Sequence, residues 1–410
     1  MITFAEIKKS FLVSLWFMFL TFPIMVIRVN TTQKEIEWRW TNMLIVGIVT
    51  FILSFVWRYL FRRMESARKK RQFEETSNIP LAQRIMNEPK IYGPSLFAIA
   101  AFAAVFPFVF TIYQVNIMIT ALMYVVLGLG LNIVVGLAGL LDLGYVAFYL
   151  VGAYSYALLN YHFGIGFWLA LPCGALIGAL FGILLGFPVL RMRGDYLAIV
   201  TLAFGEIIRI IMENWNEFSF GPSGIANIPR PGLLGIEFSL QGVTTFLYFF
   251  MICLALFTIF IVNRLRNSRI GRAWVALRED EIACQAMGID RTKAKLTAFA
   301  LGATWAGMVG VIFAAKTTFI NPASFTVWES ITILCIVVLG GMGSIIGVIC
   351  AALILILLPE YLRAFSEFRM VTFGAVLVIM MVFRPQGIIA SVRHRHRYHD
   401  VGISMGETDR

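Results

Sequence analysis

Residues 165–189 read IGFWLALPCGALIGALFGILLGFPV, a stretch of 25 residues that contains no charged side chain. A helix needs roughly 20 mostly apolar residues to cross a bilayer, and backbone polar groups in lipid must bond within their own segment. The stretch therefore predicts a membrane-spanning α-helix. Glycine recurs at every fourth position within it, which predicts close helix packing inside a bundle; an interface that slides as the protein works is the alternative. These glycines are Gly174, Gly178, Gly182 and Gly186.

The same pattern recurs along the chain. Of its 410 residues, 59% are hydrophobic and 14% are charged, whereas soluble domains carry about 25% charged residues. The ten-residue alternating segments of a membrane barrel are missing. We therefore predict an all-α, polytopic transmembrane bundle with about 10–12 hydrophobic segments. The segments are 11–27, 43–61, 93–112, 116–138, 144–161, 165–189, 195–211, 242–263, 296–315, 327–341, 344–359 and 369–383.

Two of these segments, 327–341 and 344–359, are short and are joined by Gly340, Gly341 and Gly343. Full spans are usually longer than either. A re-entrant pair that enters and leaves from one side is therefore an alternative to two complete spans. Interrupted helices of this kind often hold coupling ions in secondary transporters, but no carboxylate near the middle of the membrane accompanies them here.

Basic residues predict the orientation of the chain. Residues 62–90 and 264–295 each contain eight Lys or Arg against four acids, and 384–410 contain five against three. Residues 212–241 contain only Arg230 against three acids. By the positive-inside rule, both termini and the basic stretches face the cytoplasm of a bacterial inner membrane, and 212–241 face outward. The same rule accounts for the net charge of +11 without nucleic-acid binding.

Three regions follow from this pattern. Residues 1–91 are expected to form a two-helix module with a basic cytoplasmic linker, residues 92–390 the core, and residues 391–410 a basic cytoplasmic tail. The tail reads HRHRYH at 394–399, where a solvated surface is favoured over weak metal binding.

Recognisable catalytic and cofactor motifs are missing from the sequence. It has no GxxxxGK[ST] phosphate loop, no GxGxxG after a strand, no HExxH and no GxSxG. No Cys or His spacing indicates a metal site. The chain is therefore expected to be no enzyme and to hold no cofactor, so any ATP that drives it must be used by another polypeptide.

Several polar residues within or beside the hydrophobic segments are candidate pore or gating residues, because such residues are costly in lipid and often functional. Glu206 and Arg209 share one helix face by their spacing, and Glu213 follows one turn later. Mutual neutralisation is the alternative role. Asn132 and Asp142 lie in a glycine-rich stretch, where simple kinks and capping are the alternatives.

Residues 264–295 read RLRNSRIGRAWVALREDEIACQAMGIDRTKAK, too polar to span and too patterned for an irregular loop. A short helix is expected over the apolar residues that follow Glu281, with Gly288 as its C-cap. Such a helix either docks into a groove on a partner or lies on the membrane surface.

Four stretches resemble the larger permease subunit of high-affinity branched-chain amino-acid ABC importers. They are GLAGLLDLGYVAFYLVGAYSYALL at 136–159, GDYLAIVTLAFGEIIRI at 194–210, the segment 264–295, and VVLGGMGSIIG at 337–347 together with FRPQGI at 383–388. The resemblance covers about residues 92–390. In residues 264–295 the coupling motif of such permeases is matched only in part, with Glu281 one place early.

The resemblance implies a permease that imports leucine, isoleucine and valine. Its partners would be membrane lipid, a second homologous permease, two cytoplasmic ATPase subunits and a periplasmic substrate-binding protein. It also implies that Glu281, Ala283, Ala286 and Gly288 couple the chain to the ATPases. A urea or short-amide ABC permease and a secondary transporter driven by an ion gradient are the alternatives.

Overall fold

The computed structural model describes residues 102–189, 192, 194–232, 239–361 and 387–389, with two strands and scattered helical positions within 11–51 and 371–382. The predicted linker at 62–90 and the tail at 391–410 lie outside the described residues. The chain divides into two compact units, Met1–Ala100 and Ala101–Arg410.

In the first unit, described helical positions at 11–22 and 40–51 belong to the two predicted N-terminal segments. They pack closely where the Ser14 hydroxyl donates a hydrogen bond of 2.7 Å to the Gly47 carbonyl. Between them, β1 (Ile27–Asn30) and β2 (Glu35–Trp38) form an antiparallel hairpin with Ile27 opposite Trp38. This hairpin is an addition to the predicted all-α fold.

The second unit is a helical bundle, which confirms the predicted fold class. Each predicted segment between residues 116 and 359 corresponds to one helix, apart from small shifts at the ends. Five helices among the described residues are long and apolar enough to cross a membrane, at Ile112–Leu137, Phe167–Val189, Gln241–Arg266, Arg291–Thr317 and Pro322–Gly340. The helices are α1 (Ile112–Leu131), α2 (Val146–Phe163), α3 (Phe167–Val189), α4 (Asp195–Asn214), α5 (Asn216–Ser219), α6 (Leu240–Arg266), α7 (Arg269–Glu279), α8 (Glu281–Ala286), α9 (Arg291–Thr317), α10 (Val327–Gly340) and α11 (Ile345–Tyr361).

Helix α9 is central and packs against α1, α2 and α3. Its contact with α3 is close because glycines on both helices let the backbones meet. A Cβ atom on Gly178 would lie 2.7 Å from the Ala303 carbonyl, and one on Gly307 would lie 2.3 Å from the Gly174 carbonyl. Cβ atoms on Gly182 and Gly186 would likewise crowd α9. The glycine stripe of α3 therefore faces the bundle interior.

Helices α10 and α11 form a tight antiparallel hairpin. The chain reverses at Gly341 and Gly343, whose positive φ angles of 104° and 84° suit residues without a Cβ atom. The hairpin runs along α1, where Tyr124 bonds Glu329 and Tyr113 bonds Glu360 at the far ends, and Asn132 contacts the turn at Gly343.

Residues 215–232, which follow α4, form a cap over one end of the bundle. Its Ile225 forms an antiparallel bridge to Ile320, and the Ile228 amide donates to the Thr318 carbonyl over 3.1 Å. The Tyr156 hydroxyl donates to the Pro229 carbonyl over 2.8 Å. These bonds fasten the cap to α2 and to the segment that follows α9.

Candidate functional site

Helix α7 is anchored to the bundle by two buried apolar side chains. Ser268 caps its first turn by accepting a hydrogen bond from the Gly271 amide. Trp274 is fully buried, and its indole N–H donates 2.8 Å to the Ala294 carbonyl of α9. Leu277 is buried one turn later. The helix is therefore part of the rigid core rather than a loose loop.

One face of helix α8 is apolar and exposed on the surface of the bundle. Asp280 caps it by accepting hydrogen bonds from the amides of Ile282 and Ala283. Cys284 is buried and fixes the inner side of the helix. Ile282 and Met287 are 67% and 83% exposed, and Ala283 and Ala286 are also exposed. Within the part of the chain that the structure describes, no other segment covers this apolar side.

The α8 helix ends in a Schellman motif. The Gly288 amide donates to the Gln285 carbonyl, and the Ile289 amide donates to the Cys284 carbonyl over 3.0 Å. Gly288 has a φ of 80°, with open space where a Cβ atom would lie. Glycine is thus required here for its backbone conformation and not for lack of room.

Glu281 lies on the inward side of α8. Its carboxylate forms a 2.7 Å ion pair with Lys295, whose side chain is only 3% exposed. The pair links the start of α8 to the first turns of α9 beside a cleft of about 330 Å³. Of the four predicted coupling residues, Ala283, Ala286 and Gly288 are therefore exposed, whereas Glu281 secures the helix from within.

A π-helical turn at Asn132–Leu137 connects this region to the bundle. The Arg278 guanidinium, at the end of α7, donates a hydrogen bond of 2.7 Å to the Gly136 carbonyl of that turn. Its aliphatic stem packs on Gly139, where a Cβ atom would lie 2.6 Å from the Arg278 Cγ. Arg278 therefore joins α7 directly to the break at the end of α1.

The other side of the same turn contacts the α10–α11 hairpin. Asn132 is fully buried, and its Oδ1 accepts a 2.8 Å hydrogen bond from the Gly343 amide at the hairpin turn. The Asn132 Nδ2 has no partner among the described residues. The Ile388 amide in turn donates 2.8 Å to the Leu339 carbonyl at the end of α10. Residues from the segments 136–159, 264–295, and 337–347 with 383–388 therefore meet where α1 and α10 end.

Asp142 lies in the connection between the π-helical turn and α2. It is fully buried and accepts a 2.9 Å hydrogen bond from the Gly144 amide. Burial raises the pKa of Asp142 to about 7, although hydrogen bonds from Gly144 and Thr201 act in the opposite direction. Asp142 precedes α2 without capping it, because the N-cap residue is Tyr145 and no side-chain hydrogen bond caps the first turn.

Glu206, Arg209 and Glu213 form a continuous ion network on α4. Arg209 lies 2.9 Å from Glu206 and 2.8 Å from Glu213, and all three side chains are 24–42% exposed. The network therefore neutralises itself while remaining on the surface of this chain.

The sequence did not indicate a polar group near the end of α9 that lies away from α8. Lys316, in the last turn of α9, donates to the Thr120 hydroxyl over 2.5 Å and to the Asn116 carbonyl over 3.0 Å. Glu329, in the first turn of α10, accepts from the Tyr124 hydroxyl. Each charge stands alone at the edge of an apolar segment. Both side chains bond residues of α1, and only the folded structure shows that they share this helix.

Comparison with known proteins places this geometry in context. The sequence family described as "Branched-chain amino acid transport system / permease component" matches residues 113–384. The high-affinity branched-chain amino acid transport system permease protein LivM of Salmonella typhimurium is 44% identical over 382 residues, covering 88% of each chain. LivM of Escherichia coli is 47% identical over 332 residues, covering 76% of this chain and 78% of the relative.

A more distant relative is the permease protein LivH of the same transport system in Salmonella typhimurium. It is 25% identical over 288 residues, covering 65% of this chain and 91% of the relative. No solved structure shows significant similarity to the chain.

Proposed function

The chain belongs to the family of branched-chain amino acid transport system permease components, and from that premise we propose that it forms half of a path for leucine, isoleucine and valine. A second, homologous permease supplies the other half, as the likeness to both LivM and LivH suggests. The relatives are named for branched-chain amino acids, which disfavours the urea or short-amide and the secondary-transporter alternatives.

The observation that carries this proposal is the uncovered apolar face of α8. Exposed apolar residues on a helix that is held rigidly from beneath suit a groove on a partner protein. Because the sequence has no phosphate-binding loop of its own, the partners are two cytoplasmic ATPase subunits that bind and hydrolyse ATP. The chain is then a non-catalytic transport subunit.

The contacts behind α8 supply a route for motion. When the ATPases close, α7 and α8 move together, because the Asp280 cap joins them directly. Arg278 passes the displacement to the π-helical turn, and Asn132 passes it to the α10–α11 hairpin. ATP shifts the equilibrium between inward-open and outward-open states only if these contacts differ in free energy between the two states.

The orientation follows from the distribution of charge. In the proposed arrangement both termini and α8 lie in the cytoplasm, and the chain spans the inner membrane. The cap formed by residues 215–232 then faces outward. Its fastening to the bundle makes it a suitable platform for a periplasmic binding protein that delivers the amino acid.

The proposal is tested with the complete importer reconstituted in vesicles. Ala283→Asp places a charge on the exposed face of α8 without disturbing the core, so binding-protein-stimulated ATP hydrolysis and leucine uptake should both fall more than tenfold. Thr292→Asp, which adds the same charge at an exposed position outside α8, is the matched control. Normal uptake by an Ala283→Asp variant that inserts normally would exclude α8 as the coupling surface.

A further inference from the structure

Two side chains of opposite charge approach one face of α1 without pairing. Lys316 reaches Asn116 and Thr120, and Glu329 is bound by Tyr124. These α1 positions follow each other at intervals of four residues and therefore share a face. Within the described part of the chain, no ion pair joins Lys316 to Glu329.

Both charges are held by neutral groups only. Lys316 is satisfied by a carbonyl and a hydroxyl group, and Glu329 by a phenol. The cation lies in the last turn of α9 and the anion in the first turn of α10, where each helix dipole favours the ionised form. Both residues are partly exposed. Ionised groups at this position are costly in lipid and mark a route for a polar solute.

A zwitterion matches this arrangement. An α-amino acid carries its ammonium and carboxylate groups on one carbon atom, so its binding site needs an anion and a cation a short distance apart. Thr120 and Tyr124 are separated by one turn, or about 6 Å along the helix axis. The chain thus presents opposite charges at neighbouring turns of α1 that do not form an ion pair with each other.

We propose that Lys316 binds the carboxylate, and Glu329 the ammonium group, of the amino acid as it enters the path between the two permeases. The inference rests on the proposed function and adds a substrate site to it. Ser330 lies next to Glu329, and its fully buried hydroxyl has no hydrogen-bond partner among the described residues.

Aromatic side chains beside the charges provide the apolar part of the site. Tyr149 packs on Phe313 and Phe325, with ring centroids 5.3 and 5.1 Å away. Phe313 lies one turn before Lys316 on α9, and Phe325 lies four residues before Glu329. An amino acid held by its charged groups would therefore place a branched aliphatic side chain against these rings.

The experiment measures leucine transported per ATP hydrolysed by the reconstituted importer. Lys316→Gln and Glu329→Gln should each lower this ratio at least tenfold while the amount of complex and the stimulated ATPase rate stay near wild type. Lys316→Arg, which keeps the cation, should retain part of the ratio. Glu360→Gln is the matched control, because Tyr113 of α1 binds that carboxylate in the same way.

Several outcomes would overturn the site. One is an unchanged ratio in both glutamine variants; another is a loss that only parallels loss of assembled complex. Zwitterionic lipid headgroups share the chemistry of the substrate, so an effect that vanishes in vesicles without phosphatidylethanolamine would assign the site to lipid. If Lys316→Gln assembles poorly, Glu329→Gln decides alone, since its amide still accepts from Tyr124. Failure of the wild-type importer to move leucine would instead refute the proposed function.

Discussion

At the scale of single residues, backbone conformation and burial decide what the side chains can do. Gly288 ends α8 with a positive φ angle, and the sequence predicted this role from its position after an apolar turn. For Asp142, in contrast, the sequence predicts a pore, gating or capping role, whereas the structure buries the side chain completely. Burial depends on α4, which packs over it, and no local pattern reports that contact.

The Gly288→Val substitution should disrupt the Schellman motif that ends α8. A residue with a branched Cβ atom in the left-handed region costs about 1–2 kcal/mol, so the exposed face would be displaced and stimulated ATP hydrolysis would fall. Gly288→Asn should retain most of that rate, because asparagine tolerates positive φ. Equal ATPase rates for the two variants would contradict a conformational role.

The pH dependence of stability should report on Asp142. Its folded pKa of about 7 exceeds the ordinary value of 3.8, so folding favours the protonated carboxyl group. This stabilisation is complete below about pH 4 and is lost as the pH rises through about 7. Thermal unfolding in detergent between about pH 5 and pH 8 should therefore show a steeper fall for wild type than for Asp142→Asn. If the thermal stability of both proteins changed equally with pH, Asp142 would not have a raised pKa in the folded protein.

At the scale of elements, helix length and interruption organise the bundle. Apolar runs predicted α1, α2, α3, α4, α6, α9, α10 and α11, because segment length and hydrophobicity are local properties. The hairpin β1–β2 was not predicted, since it lies in the polar connection between the apolar runs 11–27 and 43–61. The meeting of the π-helical turn with α7 and α10 was also missed, because it depends on contacts between residues as distant as Arg278 and Gly136.

Removing the Arg278 side chain should weaken the link between α7 and the π-helical turn. The lost hydrogen bond from a charged donor contributes about 1.5–3 kcal/mol in typical proteins, so Arg278→Ala should hydrolyse ATP while importing less leucine per ATP. Arg272→Ala is the control, because Arg272 bonds only the nearby Asn267 carbonyl among the described residues. If the two variants import equal amounts of leucine per ATP, the Arg278 contact transmits no movement from α7 to the π-helical turn.

The glycine stripe of α3 offers a test of helix packing. Gly178→Leu should lower the amount of assembled protein and its melting temperature, because the new side chain would meet the α9 backbone at a cost of about 1–3 kcal/mol. Leu180→Ala, on the exposed side of α3, should change little. A Gly178→Leu variant as stable as wild type would mean that α3 and α9 separate readily.

At the scale of the whole molecule, the distribution of charge predicts the orientation, and the α8 surface and the Lys316–Glu329 site lie toward opposite ends of the bundle. The coupling surface was predictable, since α8 is a local amphipathic pattern flanked by a cap and a glycine. The Lys316–Glu329 site was not predictable. Its members come from α1, α9 and α10, which only the folded bundle brings together.

Single cysteines should establish the orientation. In a background without native cysteines, a membrane-impermeant reagent should label Ser223→Cys in intact cells and should label Asn267→Cys only after the membrane is opened. Both positions are exposed on the bundle surface. Labelling of Asn267→Cys in intact cells, with protection of Ser223→Cys, would reverse the proposed topology.

The contact between the Ile388 amide and the Leu339 carbonyl bears on how the protein is made. The ribosome synthesises α10 and its turn well before residue 388 emerges. The Leu339 carbonyl group therefore lacks this hydrogen bond while the rest of the bundle assembles. Gly387, with a φ of 85°, then brings the late segment against Gly341. A chain that ends just before this segment would span the membrane but would lack this contact with the end of α10. Cellular proteases would therefore degrade it.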